Sequence, residues 1–134
     1  MSKGILALAA LLGVTACEDG IAGPPPGTRS VVLSTRADGV SGTALLTRET
    51  SARSTVWVTL NGVTSGQSYS GFISQGTCQS PGAVAATLSG LTATSNLGSV
   101  TTRSVPDSVL SAGYHLHYDK AGPPATSVVC GNLD

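Results

Sequence analysis

Charge is scarce in this 134-residue chain. Seven Lys and Arg stand against seven Asp and Glu, together 10% of the residues, and the formal net charge is zero. A protein that grips a phosphate backbone needs a clustered excess of cations, so nucleic acid is excluded as a partner. No block of like charge exceeds two residues, so there is no charged interaction tail. Aromatic residues are also few, one Trp, three Tyr and one Phe, so any core must be built from Val, Leu, Ile and Ala. Lys, Glu, Gln and Met are sparse, which argues against a helical bundle. No apolar run is long enough to span a bilayer of roughly 30 Å as a helix. The chain does have abundant β-branched residues, Ser, Thr and 17 glycines, the composition of short strands joined by turns.

The one apolar run, Gly4 to Gly13, follows Lys3 and reads as the hydrophobic region of an export signal. It ends in Val14-Thr15-Ala16-Cys17. An aliphatic residue, two small residues and a Cys resemble a bacterial lipobox. That resemblance implies cleavage after residue 16, a lipid on the Cys17 sulfur, and a membrane partner through that lipid in a bacterial cell envelope. The cysteine count agrees: of three Cys, lipidation of Cys17 leaves Cys78 and Cys130 as an even pair. Residues 17–28 then form a tether, with Pro24-Pro25-Pro26 favouring an extended spacer.

Residues 29–134 read as one all-β domain. Strand patterns cover Ser30–Ser34, Val40–Arg48, Ser54–Leu60, Tyr69–Ser74, Val84–Leu88, Ser99–Ser104, Gly113–Tyr118 and Ser127–Cys130. In Ser54–Leu60, Val56, Val58 and Leu60 fall on one face, and Thr55, Trp57 and Thr59 on the other. Asp38-Gly39 and Asn61-Gly62 are turn signals, the second of hairpin type. Val105–Leu110, with Pro106 and Asp107 at its start, suits a single helical turn. Seven to eight short strands imply an antiparallel Greek-key β-sandwich or barrel. In an exported domain Cys78 and Cys130 are expected to pair, closing a loop of 53 residues. The alternative, a reactive or metal-binding thiol pair, lacks a Cys-x-x-Cys spacing.

Gly71-Phe72-Ile73-Ser74-Gln75-Gly76-Thr77-Cys78 resembles the copper-binding strand of Cu/Zn superoxide dismutase-like and CHRD (chordin-type) domains. Ala112 to Lys120 is similar to their later Gly-Tyr strand, and Val128 to Leu133 to their C-terminal Cys-Gly strand. The resemblance spans about residues 40–134. It implies a Greek-key β fold and the same Cys78–Cys130 pairing. It does not carry the metal ligands. The family's His-x-His falls on Phe72 and Ser74, its later His on Asp119, and its arginine on Ser127. Copper that shuttles between two oxidation states needs several imidazoles, so no cofactor and no enzymatic activity are expected.

Other chemistry is thinly supported. His115 and His117, the only histidines, are spaced to share one strand face with Asp119. The triplet is a candidate surface site for Zn²⁺ or Cu²⁺. The competing reading makes the two histidines half-exposed polar residues that alternate with buried Leu116 and Tyr118. No Gly-x-Ser-x-Gly elbow is present, and Glu49 is the single Glu after the tether, which weakens a paired-carboxylate mechanism. Trp57 is either a ligand platform or a cover for the outer side of a sheet. The sequence therefore points to a non-enzymatic, lipid-anchored envelope protein with a binding or structural role.

Overall fold

The computed structural model describes residues 27–134. The expected signal peptide, Cys17 and nearly all of the tether lie outside the described residues. Eight strands follow: β1 (Thr28–Thr35), β2 (Ser41–Arg48), β3 (Arg53–Asn61), β4 (Ser68–Gly76), β5 (Pro81–Thr92), β6 (Leu97–Pro106), β7 (Tyr114–Lys120) and β8 (Thr126–Leu133). A 3-10 turn at Asp107–Val109 occupies the expected helical turn after Pro106. The fold is all-β and antiparallel, as the turn-rich, β-branched composition requires.

The strands form one sheet in the order β5-β4-β7-β8-β1-β2-β3-β6. β3 has β6 as its neighbour and β4 has β7, so the β4–β5 hairpin is nested within the longer connections of a Greek key. β1 joins two halves. Its residues Thr28 to Leu33 pair with β2, and Ser34 and Thr35 pair with Cys130 and Val129 of β8. The edges β5 and β6 approach each other without a backbone ladder. Side chains bridge them: the Ser89 N–H donates to Thr102 Oγ1 at 2.8 Å, and Leu91 packs on Gly98. The result is a nearly closed barrel.

Turn chemistry places the first hairpin. Asp38 and Gly39 both have positive φ, 58° and 70°, and the Val40 N–H closes the turn on Ala37 O at 3.2 Å. This is the primed turn whose twist matches paired strands. Asn61-Gly62 behaves differently from its hairpin expectation. The Gly62 N–H donates to Asn96 O at 2.8 Å, and the chain leaves β3 for β4 in the other half of the barrel. Local turn chemistry allows a reversal there, but β3 pairs with β6.

The core is aliphatic, as the low aromatic content demands. Val56, Val58 and Leu60 point inward with Leu33, Val40, Ile73 and Leu116. Tyr118 is the largest fully buried side chain. Its hydroxyl donates to Ser89 O at 2.9 Å, which satisfies the one polar atom it brings inside. Burial pushes its pKa up. Two strands outrun their sequence patterns. β5 extends over twelve residues instead of Val84–Leu88, because most of its residues are exposed and give little apolar signal. β6 is the half-exposed edge strand that its polar alternation implied.

One end of the barrel is closed by polar groups. Ser54 Oγ donates to Asp107 Oδ1 at 2.6 Å, Arg48 stands 3.4 Å from Asp107 Oδ2, and the Arg29 guanidinium donates to the carbonyls of Leu110 and Asp134. These groups border a cavity of about 370 Å³. The Arg29 bonds tie the first strand to the last residues.

Candidate functional site

The chemistry-bearing residues gather on the outer side of β4, β7 and β8. Strand alternation sends Leu116 and Tyr118 into the core, so His115, His117 and Asp119 must face outward. Register then selects their neighbours. Phe72 lies opposite His117, Ser74 opposite His115, and Ser70 opposite Asp119. On the other side Cys130 pairs with His117 and Asn132 with His115.

His117 is the hub. Its Nε2 is 3.1 Å from Ser74 Oγ, and its Nδ1 is 2.9 Å from Asp119 Oδ1. Phe72 packs on one side, with ring centroids 5.5 Å apart. His115 stacks on it at 5.2 Å, with the two rings 24° from parallel. Both nitrogens of His117 are therefore occupied.

His115 lies outward yet is only 1% exposed, not half-exposed as an outer-face strand residue would be. The connection between β4 and β5 lies against it, with the Gly76 backbone hydrogen-bonded to its ring and Cys78 and Pro81 bordering the same groove. Cys78, carried on that connection, is bonded to Cys130 with Cα atoms 5.9 Å apart. The Cys78 N–H also donates to Asn132 Oδ1 at 2.8 Å. Among the described residues, the buried His115 Nδ1 has no hydrogen-bond partner. Burial lowers its pKa, the Gly76 backbone opposes this, and the charges of His117 and Arg36 add to the lowering. Beside the pair is a groove of about 260 Å³, bordered by Arg36, His115, His117, Asp119, Ser127 and the disulfide.

The Ser74–His117–Asp119 chain has the connectivity of a hydrolytic triad, but it lacks the access such chemistry needs. Ser74 is 2% exposed and does not border the groove. It sits mid-strand, paired on one side with His115 and on the other with Val84. A nucleophile must meet its substrate next to free N–H donors. Here Ser74 and Asp119 instead fix the orientation of one imidazole.

The same residues offer a metal few free donors. Phe72 offers no donor, and both His117 nitrogens already have partners. Stacked imidazoles do not aim their lone pairs at one point. Among the described residues no group of three or more His, Cys, Asp or Glu is arranged to hold a metal ion. His115, His117 and Asp119 share a face, as their spacing implied, but do not surround a common point.

Two participants carry no local sequence signal. Ser74 partners His117 only because the β4–β7 register joins residues 43 apart. Arg36 belongs to the groove only because the end of β1 reaches β8. No helix of the described residues is long and apolar enough to cross a membrane. Comparison with family models, with characterised proteins and with solved structures returns no match for this chain.

Proposed function

We propose that this chain is a lipid-anchored protein of a bacterial cell envelope. In this reading it displays a non-enzymatic β-barrel, a degenerate form of the superoxide dismutase-like or CHRD-like domain, in a binding or structural role. One observation carries the loss of catalysis. The positions where the resembled family holds its metal are Phe72, Ser74 and Asp119, and all three are spent on His117 by packing or hydrogen bonding. An apolar ring and two short polar side chains stabilise an imidazole where a redox metal needs several free ones. The export half of the proposal rests on Val14-Thr15-Ala16-Cys17 and on the Cys78–Cys130 bond, which suits an oxidising compartment. Two or more acyl chains at Cys17 give stable anchoring, at about 0.8 kcal/mol per buried CH₂.

The anchoring is tested by Cys17→Ser, which should leave unprocessed or soluble protein. Membrane fractionation and the mass of the mature N-terminus read the result. Unchanged partitioning of the variant into the detergent phase would defeat the proposal. The non-enzymatic half is tested by supplying the purified protein with copper and zinc, which should give no dismutation rate above that of free copper.

A further inference from the structure

The opposite half of the barrel carries a second surface, formed by the outer faces of β1, β2, β3 and β6. Pairing registers align its side chains in rows. One row runs Ser30, Leu45, Trp57, Thr101, and the next runs Val32, Thr43, Thr59, Ser99. None of these eight residues is charged. Trp57 is 47% exposed in the middle of the sheet, and Val32 is 72% exposed. Charges stand beside these rows at one end, where Arg103, two residues beyond Thr101, lies 3.8 Å from Glu49.

A half-exposed Trp is an amphipathic plate, an apolar body with one N–H donor. Here the core does not need it, since Val56 and Val58 beside it already point inward. The hydroxyls around it are both donors and acceptors. A partner that covers them must return hydrogen bonds in both senses, because buried hydroxyls without partners are costly. With no charge on the central rows, a phosphate-bearing polymer or an acidic peptide finds no counter-charge there. A second copy of the chain is disfavoured for a related reason. Stable self-association wants a more apolar patch than three apolar residues among hydroxyls.

We propose that this face binds a neutral, hydroxyl-rich polysaccharide, with one sugar ring stacked on Trp57 and its neighbours hydrogen-bonded to the flanking Thr and Ser hydroxyls. The inference names the class of partner for the envelope binding role above and rests on that reading. An anchored domain on a tether of about ten residues meets the glycan polymers that lie within a few tens of ångströms of the lipid surface.

Trp57 is the single tryptophan of the chain, so its fluorescence reports on this face alone. The full-chain protein, purified in a detergent without a sugar headgroup, is titrated with chitotetraose and with cellotetraose, two uncharged oligosaccharides. At least one should give a saturable blue shift of the emission. Retention on the matching insoluble polysaccharide should fall at least tenfold in Trp57→Ala and in Thr59→Lys. Val84→Ala, on an exposed position of β5 in the other half, should retain wild-type binding. Thr59→Lys keeps the tryptophan and tests the face should Trp57→Ala melt early. No shift with either sugar, equal retention by both face variants, or a shift that follows protein concentration instead of sugar would each overturn the proposal. Anchoring is read separately by membrane partition, so either idea can fail without the other.

Discussion

The phenol ring of Tyr118 crosses Gly71 so closely that a Cβ at position 71 would stand 2.2 Å from Tyr118 Cζ. The two residues are direct partners across β4 and β7. The barrel thus accommodates its largest buried ring by removing a side chain from the facing strand. Gly71→Ala should destabilise the domain by about 1–3 kcal/mol or more, as overpacking does in rigid cores. Tyr118→Phe should cost about 1 kcal/mol, because the Ser89 carbonyl loses its donor. Chemical denaturation of the two variants measures both values.

The disulfide acts through the chain and through the site. Closing a loop of 53 residues is worth about 4 kcal/mol in the chain-entropy model. The double variant Cys78→Ala, Cys130→Ala should therefore lower the melting temperature clearly. It should also release the cover over His115, which hydrogen exchange in β7 would show as faster opening. A reductant should reproduce both effects in the wild-type protein.

His115 makes stability depend on pH. Burial holds its pKa below the ordinary value of about 6.5. The unfolded chain therefore binds a proton at a higher pH than the folded one does. Unfolding is favoured by that uptake, so stability falls as pH drops below about 6.5 and levels off below the folded-state pKa. Arg36 and His117, the charged and titratable neighbours, act in the same direction. Stability measured at pH 7.5 and at pH 5.5 should differ in the wild type. The difference should shrink in His115→Leu.

Ser104 holds a φ of 59° at the irregularity where β6 passes Ser54 and Val56 of β3, and its carbonyl accepts from Arg53 Nη1 at 2.8 Å. The left-handed region costs a residue with a Cβ roughly 1–2 kcal/mol. Ser104→Gly should gain up to about 1 kcal/mol, and Ser104→Val should lose at least as much, since β-branching worsens the clash. Thermal melts of the two variants should move in opposite directions.

Alternation and turn chemistry are short-range properties, and they decided much of this protein in advance. Val56, Val58 and Leu60 could only share a face, Trp57 had to lie on the other, and Asp38-Gly39 suited a primed turn wherever two strands flanked it. Of the three cysteines, Cys78 and Cys130 are the two within the strand-forming region, and they bond to each other. The same local rules placed His115, His117 and Asp119 on one side of β7. What they could not decide is which strands become neighbours. Asn61-Gly62 has hairpin chemistry, yet β3 pairs with β6, because a Greek key satisfies backbone hydrogen bonds between segments distant in sequence. Pairing between distant segments, β4 with β7 and β1 with β8, put Ser74 against His117, 43 residues away, and brought Arg36 to the groove. It also let the Cys78 segment bury a histidine that its own strand would have left half in water. Residue types and spacings supplied the candidates for chemistry, and the register between distant strands determined which of their nitrogens remained free.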